Sequence, residues 1–360
     1  MSALLPRPGI LEIAPYIGGE AQAEGATRLI RLASNEGALG PSPRAAAAYR
    51  ALADDLHRYP DGGSTALTTA LARRLDVEPR QIVCGAGSDE LLALLTRSYA
   101  GPGDEVLFSA HGFLMYPIAA RAVGATPVTA PETNLTADVD ALLAAVTPRT
   151  RILFLANPNN PTGSYVSGTE LRRLRAGLPD SVLLVIDSAY AEFVTAEDYT
   201  AGEDLVRDFD TVVMTRTFSK IYALAALRLG WCLAPPAVAD VLHRVRGPFN
   251  VGAPAQAAGL AALEDEAFVE AARRHNQECR TWFVERLQAL GLSVFPSVGN
   301  IVLVDFSPWG DAEAIRLALK GRGILVRQMG AYRLPHCLRI TIGRQDEMAE
   351  VVTALAEIRP

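Results

Sequence analysis

Cysteine is scarce in this chain of 360 residues. There are four, Cys84, Cys232, Cys279 and Cys337, and no CxxC spacing links them. That argues against a disulfide-stapled scaffold or a zinc centre and leaves ordinary buried or partly exposed thiols. Long hydrophobic runs are missing too. No stretch approaches the roughly 18 apolar residues that a membrane span needs. The opening MSALLPRPGILEIAPYIGGE lacks the basic-then-apolar order of a secretion signal. Blocks of Lys or Arg are absent, and 34 basic against 40 acidic side chains give a formal charge of -6. A nucleic-acid partner is therefore not expected, whereas small anions stay acceptable because local Arg placement outweighs net charge at a site. Internal repeats, low-complexity tracts and flexible linkers are lacking as well. These absences point to a cytoplasmic protein with no membrane anchor.

What is present is a globular balance, 49% hydrophobic and 21% charged, in a chain long enough for two packed domains. Short apolar runs alternate with helical-period segments through the middle of the sequence. EVLFSA (105–110), TPVTA (126–130), RILFLAN (151–157), SVLLVID (181–187), TVVMTRTF (211–218) and LGWCLA (229–234) read as strands. Several are apolar almost throughout, as in strands covered on both faces. Helical pieces at 89–99, 115–123, 138–145 and 168–176 separate them, which argues for an α/β domain with a largely parallel sheet. From 254 to 290 the chain is rich in Ala, Leu, Glu and Arg and favours long helices. LSVFPSVGNIVLVDF, GILVRQ and CLRITIG follow as strands, with helices near 311–321 and 346–358. The expected organisation is an arm at 1–30, a large α/β domain at 31–250 and a small α+β domain at 251–360.

Four segments stand where apolar strands end: NPNNPTG (157–163), DSAY (187–190), TFSK (217–220) and RLG (228–230). In an open parallel sheet that edge is where ligands bind, so the four converge in space. Singly each is weak: NPNNPTG could be a Pro-stiffened turn, and a lone SK or DSAY is usually surface or core. GAGSDELLALL (85–95) reads as a glycine turn feeding a helix whose first amides face an anion, although Ser88 with its acidic followers also marks any helix start.

In this order the motifs resemble the fold-type I aminotransferases, and more closely the histidinol-phosphate aminotransferase family. The resemblance extends to SNE (34–36), GPSP (40–43), RYPDGGS (58–64), GPGDEV (101–106), PFNV (248–251), VRQM (326–329) and LRITIG (338–343). It implies a pyridoxal-5′-phosphate enzyme with a large, mainly parallel α/β domain and a smaller C-terminal α+β domain. It also implies that Lys220 supplies the amine that holds the cofactor's aldehyde and moves the Cα proton. Burial beside a cation would lower its pKa for that work. Asp187 would meet the pyridine nitrogen, and as a carboxylate at the end of an apolar strand it calls for a cationic partner.

Asn157 and Tyr190 would bond the 3′ oxygen, Asn157 standing near the substrate as well, and Phe113 would stack on the ring. Gly87, Ser88, Asp89, Thr217, Ser219 and Arg228 would form the phosphate cradle. Arg339 would fork onto the substrate α-carboxylate, and Tyr16 and Arg327 would lie near the substrate's own phosphate. Tyr16 could equally staple the arm, and Arg327 could be a strand-end charge. Tyr59 would reach the phosphate in a neighbouring subunit, which implies a homodimer; its plain alternative is an aromatic turn residue before Pro60. None of the five histidines, His111 included, sits in a pattern that demands a role.

Two stretches depart from the family pattern. SNEGALGPSP replaces SNENPFGPSP, so Gly37, Ala38 and Leu39 are expected to leave a looser and wider mouth. AYRLPH (331–336) replaces GYGLPN and brings in Arg333 and His336. The implied reaction is L-histidinol phosphate with 2-oxoglutarate. An aromatic amino acid aminotransferase, a threonine-phosphate decarboxylase and a non-catalytic cofactor-sensing module are the alternatives. The last would need a DNA-binding domain for which the sequence has no spare length.

Overall fold

The computed structural model describes residues 5–23, 25 and 28–359. Its larger sheet has seven strands in the spatial order Ile82–Gly85, Gly230–Leu233, Val212–Thr217, Leu183–Asp187, Thr150–Ala156, Glu105–Ser109 and Thr126–Ala130. All neighbours run parallel except Gly230–Leu233, which is antiparallel to both of its own. Leu183–Asp187 shows why the apolar runs form such strands. Leu184 and Ile186 enter one core, Leu183 and Val185 enter another on the opposite face, and every residue is buried. Ile82–Gly85, which the sequence pattern left unassigned, completes the edge beside Gly230–Leu233.

Register sets two rungs at the top of this sheet, two residues apart along Val212–Thr217. Gly85 pairs with Gly230, Gly230 with Thr217, Thr215 with Asp187, and Asp187 with Ala156. The motifs that end the strands are thereby brought level. Gly230 is required there, because a Cβ would lie 2.3 Å from the backbone nitrogen of Ser88. Strand and helix start can touch only where no side chain stands between them.

The smaller sheet has five strands in the order Ile30–Leu32, Ile324–Gln328, Cys337–Thr341, Ile301–Asp305 and Ser293–Val294. Helices Glu266–Ala289, Ala312–Lys320 and Gln345–Ile358 cover one face, where Leu338 and Ile340 join Phe283, Leu319 and Val351 in a core. Period-two alternation then sends Cys337, Arg339 and Thr341 to the other face.

Two boundaries differ from the sequence reading. Ile30–Leu32, expected to straddle the arm and the large domain, pairs in parallel with Ile324–Gln328 of the small sheet, because Ile30 and Leu32 alternate into that core while Arg31 faces out. Helix Ala253–Leu263, expected in the small domain, belongs with the large core through Ala255, Ala258 and Ala262. Its small residues allow close approach, and a Cβ on Gly259 would lie 2.3 Å from Leu229. The helical stretch is also not continuous. It breaks at Glu264 and Asp265 before Glu266–Ala289 begins.

Substituting Gly230→Ala is expected to destabilise the protein by about 1–3 kcal/mol, since backbone atoms and not a movable side chain meet the added methyl. Denaturant unfolding of both proteins checks this, and an unchanged midpoint would contradict the close approach.

Candidate active site

Between the two sheets lies a cavity of about 340 Å³, and the strand ends of the large sheet form its floor. Asp187, Lys220, Tyr190, Arg228 and Arg339 all line it, so segments far apart in sequence do converge. Asp187 is 5% exposed, and among the described residues no cation forms an ion pair with it. Its carboxylate accepts from the Tyr116 hydroxyl at 2.9 Å on Oδ2 and from the Thr215 hydroxyl at 3.2 Å on Oδ1. Burial pushes the acid up from an ordinary 3.8 to about 6, against the pull of the Tyr116 bond.

Lys220 lines the same cavity. Its Nζ donates to the Ser34 carbonyl at 3.3 Å and lies 5.7 Å from the centre of the Tyr190 ring. Burial, and then the charges of Arg339 and Arg228, bring its pKa down from 10.5 to about 8. Near neutrality a useful fraction of this amine is unprotonated and nucleophilic. The Tyr190 hydroxyl accepts from Asn35 Nδ2 at 2.7 Å, and Asn35 is held in turn by Thr341 and Asn300.

One end of the cavity is built for an anion. Gly87, at φ +82, turns the chain into helix Ser88–Tyr99, whose first residues line the cavity. A Cβ at Gly87 would strike Arg228 Nη2 at 2.6 Å. Arg228 donates to the Ser219 hydroxyl at 3.3 Å and pairs with Asp89 at 3.1 Å. Thr217 Oγ1 accepts from the Ser219 amide at 3.0 Å, which fixes the turn into Lys220. Phe113 lines the cavity near Tyr16, with ring centres 6.4 Å apart.

At the other end Arg339 is 5% exposed. It donates to Asn160 Oδ1 and, at 2.8 Å, to the Ala33 carbonyl; its Nε has no partner among the described residues. A buried guanidinium with an unpaired N–H and no carboxylate beside it is suited to an anion.

Asn157 is not where the sequence reading put it. Its side chain is fully buried and committed to Val166, accepting from the amide at 2.7 Å and donating to the carbonyl at 3.1 Å. Asn160, three residues later in the same motif, lines the cavity instead. The motif carries three asparagines within four positions, and only the turn geometry tells which one faces inward.

Arg327 is also displaced from the cofactor cavity. It donates to the Ile17 carbonyl, lies 5.9 Å from the centre of the Tyr16 ring, and lines a separate cavity of about 630 Å³ under the N-terminal arm. Tyr16 forms part of both cavities. The larger cavity lacks Lys220 and Asp187, so size does not mark the chemistry here. Tyr59 is 83% exposed, stacks on Phe249 at 4.7 Å and does not line the cavity of its own chain.

Gly37, Ala38 and Leu39 do not widen this cavity. They line a small pocket beside His275 and Asn300, and Asn300 Nδ2 ties down the carbonyls of Asn35 and Glu36 at 3.2 Å each. A Cβ at Gly37 would meet Ala223 at 2.6 Å, so the segment is closely packed, not loose. Arg333 is exposed at the end of its turn, and neither it nor His336 lines the cavity. His111 is occupied with Glu132, at 2.7 Å from Nδ1. Tyr116, Thr215, Asn35 and Asn160 went unnoticed in the sequence, although Tyr116 follows Phe113 by three positions, the spacing that brings neighbours onto one side of a helical turn.

The sequence pattern of the aminotransferase class I and II family matches residues 27–355. The chain is 64% identical over 358 residues to a histidinol-phosphate aminotransferase of Rhodospirillum centenum, covering 99% of each. The chain belongs to the histidinol-phosphate aminotransferase family. A second relative with that name, from Paramagnetospirillum magneticum, is 60% identical over 99% of each chain. The crystal structure of histidinol-phosphate aminotransferase from Sinorhizobium meliloti, in complex with pyridoxal-5′-phosphate, superposes with a TM-score of 0.91 at 32% identity, covering 99% of this chain and 98% of that one.

The protein is thus a pyridoxal-phosphate-dependent aminotransferase of fold type I, and the cavity fits that cofactor. A buried carboxylate without a cation suits a pyridinium N–H, a lysine near 8 suits an aldehyde, and the Gly87–Arg228 end suits a phosphate.

Cofactor-free protein is expected to carry the strain of Asp187 as a pH effect. With its folded pKa raised from 3.8 to about 6, the group's stabilising contribution is present below the lower value and is lost as pH rises through the upper one. Asp187→Asn should therefore stabilise the cofactor-free protein by ~1–3 kcal/mol at neutral pH and by little near pH 4. Thermal unfolding at the two pH values checks this; equal effects at both would mean that ionisation is not the cause.

Proposed function

We propose that this chain transfers the amino group of L-histidinol phosphate to 2-oxoglutarate, giving imidazole acetol phosphate and L-glutamate in histidine biosynthesis. The observation that carries this reading is the Arg339 site, a buried guanidinium with an unpaired N–H across the cavity from Lys220. The names of the most similar relatives agree with it. When bound, pyridoxal 5′-phosphate supplies an aldehyde for the amino group and a conjugated ring that accepts the electron pair freed at Cα. Lys220 Nζ would hold that aldehyde until the substrate amine displaces it, and the freed amine would then carry the proton from the substrate Cα to the former aldehyde carbon. Asp187 would keep a proton on the ring nitrogen. Tyr190 and Asn160, in place of Asn157, would bond the 3′ oxygen, and Phe113 would lie against the ring. The Ser88 amide, Thr217, Ser219 and Arg228 would hold the phosphate.

Arg339 accepts anions from both substrates in turn. Glutamate and 2-oxoglutarate offer an α-carboxylate, whereas histidinol phosphate has none and presents its phosphate. Tyr16 and Arg327, on the adjoining cavity, extend the positive end toward that phosphate. The aromatic amino acid reading rested on a wider mouth at 37–39. That triplet lines another pocket, so no observation favours it.

The enzyme would act as a homodimer in the cytoplasm. Exposed Leu56, Tyr59 and Phe249 support a second copy covering this face, with Tyr59 reaching the partner's phosphate end. Four free, buried cysteines are in keeping with a reducing compartment, and among the described residues no helix is long and apolar enough to cross a membrane. Sedimentation should then give twice 38.4 kDa, and Tyr59→Ala should weaken cofactor retention in that dimer; a monomer with full activity would refute the shared site.

Half-reactions on the cofactor-loaded enzyme test the substrate. L-Histidinol phosphate should bleach the visible cofactor band at far lower concentration than L-phenylalanine, and the reverse order would reassign the enzyme. Arg339→Lys should lower kcat/KM for both histidinol phosphate and glutamate by about a hundredfold, because a point charge replaces a planar fork.

A further inference from the structure

Tyr116 lies on helix Met115–Ala122 and is 1% exposed. Its ring stacks on Phe154 at 4.8 Å with the planes 8° apart, and stands edge-on to Phe113 at 5.9 Å and 90°. Phe108 touches it from a third side at 5.9 Å. Three aromatic neighbours leave the hydroxyl one direction, toward Asp187 Oδ2 at 2.9 Å. We infer that Tyr116 is a positioning residue for the pyridine end of the cofactor, a single side chain that fixes both the carboxylate at the ring nitrogen and the aromatic ring on its face. This rests on the roles proposed above for Asp187 and Phe113.

The hydroxyl is a donor that does not switch. Burial and the adjacent carboxylate hold the phenol well above its ordinary value, so it stays protonated wherever the enzyme works. A carboxylate that already accepts from Tyr116 and Thr215 is less basic, and the shared proton rests on the ring nitrogen instead of moving to Asp187. The other titratable groups that bear on this pair are Asp89, whose negative charge opposes ionisation of Asp187, Tyr190 beside Asp187, and Tyr332 beside Tyr116. None of them donates to Asp187 in Tyr116's stead; they act on the pair through charge alone.

Tyr116→Phe tests this in the holoenzyme, because it keeps the aromatic packing and removes only the donor. With Asp187 more basic, the ring loses positive charge, and the nitrogen that Lys220 shares with the cofactor should hold its proton more tightly. The pH midpoint of the visible absorbance change is then expected to rise by about half a unit to one unit. Asp187→Asn serves as the reference and should move the midpoint further. If Asp187→Asn moves it while Tyr116→Phe matches the wild type in midpoint, Tyr116 only packs and the inference fails. If Asp187→Asn leaves the midpoint in place, the assignment of Asp187 falls first and the inference falls with it.

Discussion

Asp187 ends a strand whose other residues are all apolar, and it is buried without a cation among the described residues. Ionising such a group is unfavourable, and two neutral hydroxyls from Tyr116 and Thr215 only partly offset the loss of water. Each neighbouring feature follows from keeping that carboxylate in place. The parallel sheet sets Thr215 level with it, the Phe154 and Phe113 rings lock Tyr116 above it, and the cavity leaves its open side to a cationic ring. Energy withheld from the folded chain at this point returns when the cofactor binds, which is how a protein couples a costly group to its ligand.

Lys220 is tuned by the same logic with the sign reversed. Burial disfavours its cation, and Arg339 and Arg228 repel it, so the amine becomes free near the pH at which it must react. Both arginines line the cavity. In the proposed reaction each would serve twice, as an anion site and as a contributor to the lysine's reactivity. Filling either with an anion cancels part of its repulsion, so Lys220 gains proton affinity when ligands are seated, as a group that must collect the Cα proton should.

The strands and most helices were legible because the large sheet is buried on both faces, and its apolar runs leave few other choices. Asp187 and Arg339 stood out for a related reason, since a charged residue at the end of or within an apolar strand has few structural uses; Lys220 and Arg228 lie outside the strands and stood out only through the resemblance of their motifs. What failed depends on turns and on long-range packing. Asn157 and Asn160 are chemically equal in sequence, and the backbone between them decides which one faces the cavity and which one ties Val166. Ile30–Leu32 is too short to announce a sheet, and only pairing with Ile324–Gln328 assigns it. Tyr116 looked like one more apolar helix residue, since nothing local reveals a hydroxyl aimed at a strand 71 positions away.

The SNEGAL segment shows how substitution and space change together. Removing a proline and an aromatic ring was expected to loosen the mouth, on the premise that the vacated volume stays empty. Ala223 instead stands where a side chain at position 37 would go, in a left-handed conformation with φ of +53, and Gly37 packs directly on it and on the Lys220 carbonyl. A non-glycine residue is rarely held in that region of backbone space unless its surroundings require it. The small residue at 37 and the methyl at 223 thus form one contact. It buttresses the turn that presents Lys220, so this departure from the family pattern bears on how the lysine is supported.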